Sequence, residues 1–252
     1  MVKNFELGEP INEDLIVWRY MDFATFYSLL LSKAIFFRRI DKFTDENEGI
    51  LPEEICNQLI EAWTDSGLFD VNDPPEMVEY FIARLRQFNT GTLSSAWVLN
   101  EKEIYAMWKI YLRGSTEGIA IKTTVGRLKT SLKNNEEDFV IAKISYSPYP
   151  WEKTSYRTLP AYKSAPYSYE CELRIMIFDQ FEEHTIPMEV FPKLPLYENG
   201  KTVNVELDTL IDYIYISPFA GKWFSEVVKS VLEIFIPSFD FKKLISSNIK
   251  DR

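Results

Sequence analysis

The ten residues Tyr169-Glu-Cys-Glu-Leu-Arg-Ile-Met-Ile-Phe178 constrain the fold more than any other stretch of the chain. Tyr, Ile and Phe recur in it, Gly and Pro are missing, and the pattern reads as a strand. Strand alternation sends Cys171, Leu173, Ile175 and Ile177 to one face and Glu170, Glu172, Arg174 and Met176 to the other. Two carboxylates then share one face. Buried charge is costly without a partner, so such a strand belongs where a sheet opens to solvent or to a ligand.

Other segments supply the rest of a sheet. Leu15-Ile-Val-Trp-Arg-Tyr20 is almost wholly apolar, as a buried strand requires, and its one charge, Arg19, is anomalous. Asp22 is positioned to cap a helix to about Ser32 with Phe23, Phe26, Tyr27 and Leu30 on one face, and Ala34 to Phe37 reads as a short strand. Strands are also expected at Thr92 to Val98, Gly118 to Thr123, Phe139 to Ser147, near Val203, at Tyr213 to Ser217 and around Phe239. Asn100 with Glu103 signals a capped helix through Leu112. A helix runs from Thr124 to about Lys133, and another carries Trp223, Phe224, Val227, Val228, Val231 and Leu232 and stops at Pro237. Apolar stripes at Ile55, Cys56, Leu59, Ile60, Trp63 and at Met77, Val78, Phe81, Ile82, Leu85, Phe88 predict two further helices. The expected fold is one α+β domain over residues 1–252, with a central mixed or antiparallel sheet and peripheral helices. It carries a helical insertion at about 51–89 and an ordered aromatic and proline loop at about 147–166.

Composition removes several function classes. The formal net charge of −10 repels phosphate backbones, so general nucleic-acid binding is not expected. Nine glycines, none as Gly-x-Gly, exclude the Rossmann fingerprint and the Walker loop, both of which need glycine where backbone meets phosphate. The single histidine, His184, rules out a two-histidine zinc site and reads as part of a solvated turn; no metal is expected. Cys56 and Cys171 read as buried free thiols. The acidic stretch Asp41-Lys-Phe-Thr-Asp-Glu-Asn-Glu-Gly49 reads as a solvated loop. The first ten residues carry no apolar core and no membrane span is visible, which predicts a cytoplasmic protein.

Val17-Trp-Arg-Tyr20, Asp41-Lys-Phe with Glu48-Gly49, Ala106-Met-Trp-Lys-Ile-Tyr111, Gly118-Ile-Ala-Ile and Tyr169-Glu-Cys-Glu-Leu-Arg174 follow one another in an order that resembles a bacterial family of unknown function. This is domain of unknown function twenty-nine seventy-one, and the resemblance spans about Leu15 to Leu244. It implies a role in bacterial stress or defence. More distantly, the order Arg19, Ser94-Ser95, Glu170-Cys171-Glu172 resembles ADP-ribosyltransferases, whose sites use an Arg, a Ser-x-Ser strand and a Glu-x-Glu strand. The serine motif departs from that pattern, reading Leu-Ser-Ser-Ala-Trp.

The second resemblance implies chemistry that needs neither His, Cys nor metal. Cleaving the nicotinamide bond of NAD builds positive charge on the ribose, which a carboxylate stabilises. On this reading Glu172 holds a ribose hydroxyl and Glu170 activates an acceptor, either a protein or a small molecule. Arg19 forks onto the pyrophosphate, Ser94 or Ser95 orients Glu172, and Trp97 or a nearby tyrosine stacks on nicotinamide. The competing reading is a non-catalytic binding or interaction protein in which Arg19 and the two glutamates form a structural ion-pair network. Acceptor identity and oligomeric state stay open.

Overall fold

The computed structural model describes residues 5–6, 10–43, 91–147, 158–178 and 197–249, together with isolated helical positions 57, 58, 61, 64 and 65. Most of the expected helical insertion at about 51–89, the first part of the 147–166 loop, His184, Cys56 and residues 44–49 of the acidic stretch lie outside the described residues.

Ten strands among the described residues form one mixed sheet, and helices flank it, giving the α+β architecture. They are β1 (Phe5–Glu6), β2 (Ile16–Asp22), β3 (Ala34–Arg39), β4 (Thr92–Leu99), β5 (Gly118–Thr124), β6 (Phe139–Lys143), β7 (Glu172–Phe178), β8 (Gly200–Asn204), β9 (Tyr213–Ile216) and β10 (Leu244–Ser246). The helices are α1 (Phe23–Ser32), α2 (Tyr105–Leu112), α3 (Val125–Ser131), α4 (Leu207–Leu210) and α5 (Phe224–Phe235). The order along the sheet is β1-β6-β7-β4-β2-β5-β9-β10, with β3 pairing β4 and β8. Pairs β1–β6 and β9–β10 are parallel, the others antiparallel.

Strand β4 is where the sheet forks. One of its edges pairs with β7 from Thr92↔Phe178 to Val98↔Glu172. The other edge is shared: β3 takes Leu93 and Ser94, β2 takes Val98 and Leu99, and neither pairs with Ser95, Ala96 or Trp97. Packing follows the fork. On one face a continuous cluster joins Val17, Met21, Leu93, Trp97, Ile119, Leu173 and Ile175 to α1, α3 and α5 through Phe26, Leu30, Leu128, Phe224 and Val228. Each fully buried apolar side chain there contributes roughly 1.5–3 kcal/mol. The other face carries two separate clusters. Trp18, Tyr20, Val98 and Ala120 pack with Met107, Trp108 and Leu112 of α2, while Ile40, Val140, Ala142, Ile144, Ala161 and Met176 pack apart from them.

Local signals set several boundaries. The Asp22 carboxylate accepts the Thr25 N–H at 2.7 Å and caps α1, and Thr124 caps α3 by accepting the Arg127 N–H at 3.3 Å. The cap expected from Asn100 and Glu103 is not made, and α2 begins only at Tyr105. Other bonds take those side chains: the Asn100 amide donates to the Lys102 carbonyl and Glu103 accepts from Trp108 Nε1, while the Ile104 N–H donates to the Tyr20 hydroxyl. Strand β6 stops at Lys143, short of the expected Ser147, and Ser145 bridges Tyr162. The last strand is β10 rather than a strand around Phe239, whose ring instead fills the main core.

Candidate functional site

At the fork, beside Trp18 and Tyr20 of the second face, lies a cleft of about 470 Å³. Its lining includes Arg19, Ser94, Ser95, Glu170 and Glu172, so five of the six residues singled out in the sequence meet there. Trp97 does not join them; its ring packs in the main core, and Trp18, Tyr20, Tyr111 and Tyr167 supply the aromatic lining.

Arg19 and Glu172 begin on opposite faces. The pairs Trp18↔Val98 and Val98↔Glu172 put Trp18 on the Glu172 face, and Arg19 is one residue on. They share a cleft because β2 leaves β4 after Trp18. The guanidinium reaches the open edge of β4, where Nη1 donates to Ser95 Oγ at 2.5 Å and to the Ala96 carbonyl at 3.3 Å. Its carbon lies 5.5 Å from the Trp97 ring centroid. Burial lowers the Arg19 pKa to about 10, with Tyr111 opposing. Among the described residues no carboxylate forms an ion pair with it. Beside it Ser94 is 2 % exposed and lines the cleft, and its hydroxyl has no hydrogen-bond partner among the described residues.

The carboxylates sit in a different environment. Arg174, with 0 % exposure, grips Glu172 at two points: Nε to Oε1 at 2.7 Å and Nη2 to Oε2 at 3.0 Å. Its Nη1 donates to the Pro160 carbonyl at 2.8 Å and the Phe43 ring lies 5.2 Å from its carbon. Lys163 Nζ bridges Glu170 at 2.6 Å and Glu172 at 3.4 Å. The Lys163 backbone is fixed to Ser145 through its N–H, which donates to the Ser145 carbonyl at 3.0 Å. Burial pushes the Glu172 carboxyl up to about 7, Lys163 opposes and the Glu170 charge reinforces the rise. The two-point grip of Arg174 works against that rise, because charge-assisted bonds favour the ionised carboxylate. Burial also disfavours the Lys163 ammonium, but the two carboxylates outweigh it and its pKa is raised.

Three expectations change. Glu170 does not reach Glu172 by alternation, because β7 begins at Glu172 and Glu170 ends the 3-10 helix Ala165–Glu170. Cys171 between them has φ 44°, in the left-handed region that a residue with a Cβ seldom enters, and it is exposed rather than buried. This turn, with the Lys163 bridge, brings the two carboxylates together. Finally, neither serine bonds Glu172: Ser95 orients Arg19, and Arg174 with Lys163 orients Glu172.

Sequence reasoning did not single out Lys163, Tyr111, Arg38 or Arg113 as cleft residues, and all four line it. Lys163 had a usable signal, being the one charge in Thr158 to Tyr169. No group of three or more His, Cys, Asp or Glu suited to a metal ion occurs among the described residues. No helix among them is long and apolar enough to cross a membrane. The chain matches no protein-family model, no curated protein sequence and no solved structure. Both family resemblances therefore rest on the motifs alone.

Proposed function

We propose that the cleft binds NAD and that the protein cleaves it, transferring ADP-ribose to an acceptor. The observation that carries this reading is the meeting, in one cleft, of a part-buried guanidinium that no carboxylate among the described residues pairs with and a pair of carboxylates. At about 470 Å³ the cleft is of ordinary size for a small-molecule site. Arg19 takes the diphosphate, and Tyr167 offers an aromatic face to a ring.

The bond from ribose C1′ to the nicotinamide nitrogen breaks with its electron pair leaving on nicotinamide, and positive charge spreads over C1′ and the ring oxygen. Glu172 stabilises that charge while accepting a ribose hydroxyl. Three N–H contacts from Arg174 and Lys163 occupy most of its roughly four acceptor directions, which leaves one for the substrate. The acceptor oxygen, nitrogen or sulfur then attacks C1′ and gives its proton to Glu170.

Purified protein with labelled NAD tests this by the release of nicotinamide and the label carried into macromolecules. Glu172→Gln should keep NAD binding and lower release about a hundredfold. Glu170→Gln should lower transfer while slow release persists. Absence of release, with no thermal shift on adding NAD, would overturn the reading. It would favour an interaction protein, for which the exposed Phe36 and Ile110 at the cleft are a ready contact surface.

A further inference from the structure

Tyr111 has no assigned part in that chemistry, yet its surroundings define one. Helix α2 is tied to β2 by the Ile104 N–H donating to the Tyr20 hydroxyl at 2.9 Å, and by the edge of Tyr20 against Trp108 at 4.9 Å. Met107, Trp108 and Leu112 are buried, so the helix cannot rotate without exposing them. The Tyr111 ring lies nearly parallel to Tyr20, at 6.2 Å and 22°, and borders the cleft at 37 % exposure. Among the described residues its hydroxyl makes no hydrogen bond.

Four cleft charges act on this phenol. Burial raises its pKa to about 12, Glu172 and Glu170 add to the rise, and Arg19 and Lys163 oppose it. The hydroxyl is therefore a neutral donor at neutral pH, in the same cleft as the guanidinium and the carboxylates and within their electrostatic reach. A neutral O–H that shares a cleft with a guanidinium unpaired among the described residues suits an anionic oxygen, whereas the carboxylates nearby would repel an anion without such donors.

We infer that Tyr111 and Arg19 act as one diphosphate clamp, the Tyr111 hydroxyl donating to an oxygen of the phosphate onto which the guanidinium forks. The dinucleotide identity of the ligand rests on the proposed NAD reading; the anion contact stands without it.

Calorimetric titration of the wild type and Tyr111→Phe, each with NAD and with inorganic pyrophosphate, separates the two claims. The variant should unfold at the wild-type temperature without ligand, since the lost hydroxyl bonds nothing, and should bind both probes about tenfold more weakly or worse. If the wild type binds pyrophosphate but neither binds nor cleaves NAD, and Tyr111→Phe still weakens pyrophosphate, the clamp stands and the NAD reading falls. Equal binding of both probes by wild type and variant overturns the clamp, as does a wild type that binds neither.

Discussion

Two arginines serve opposite ends here: Arg174 is wholly buried and grips the cleft residue Glu172, whereas Arg19 is part-buried and lines the cleft itself. Arg174 spends its donors on Glu172 and a carbonyl and stacks near Phe43, whereas Arg19 reaches only a serine hydroxyl and a carbonyl. A buried charge that is fully paired holds structure together, and removing its partner leaves a charge stranded in low dielectric. A buried charge without a countercharge is costly to keep, and a cleft-lining position gives it a ligand to wait for. The contrast teaches that scaffold and site are told apart by the partners a charge keeps.

Arg174→Met strands the Glu172 carboxylate and should cost about 3–5 kcal/mol in urea denaturation. A loss below about 1 kcal/mol would remove the scaffold half of the contrast. Lys163→Met leaves Glu170 and Glu172 facing each other without the ammonium between them, and should cost roughly 1–3 kcal/mol by the same assay.

How far these residues could be read from the chain depends on whether the cause is local. The Asp22 cap, the helix after Thr124, β2, β5 and the α5 stripe were legible, because each signal lies within a few residues of its effect. The fork was not, since it depends on β2 and β3 competing for one edge of β4 across more than fifty residues of sequence. Trp97 misled for a similar reason: its face is fixed by the distant pairing with Leu173 of β7, and that face is the main core. The left-handed Cys171 had no glycine or asparagine to announce it, so Glu170 seemed to belong to the strand.

Charge on Glu172 gives a smaller, pH-dependent effect. Burial raises this carboxyl from 4.5 to about 7, so between those values the folded state keeps a proton that the unfolded chain has released. Stability contributed by the group therefore falls as pH rises through that window. The difference in unfolding free energy between wild type and Glu172→Gln should slope downward from about pH 4.5 to about pH 7 and flatten above. A flat difference throughout would mean that the Arg174 grip keeps the carboxylate ionised. Smallest of all is the expected stability change in Arg19→Met. Two lost hydrogen bonds are offset by relief of a desolvated charge, so thermal or urea unfolding should move by less than about 1 kcal/mol. A loss as large as that of Arg174→Met would make Arg19 scaffold too.

The most direct measurement is a crystal structure of the protein with ADP-ribose or NAD bound. The account predicts diphosphate oxygens about 2.7–3.2 Å from the Arg19 guanidinium inside the fork, with Arg174 still gripping Glu172. A ligand seated outside the fork, or one seated within it while Arg19 stays confined to Ser95 and Ala96, would contradict it.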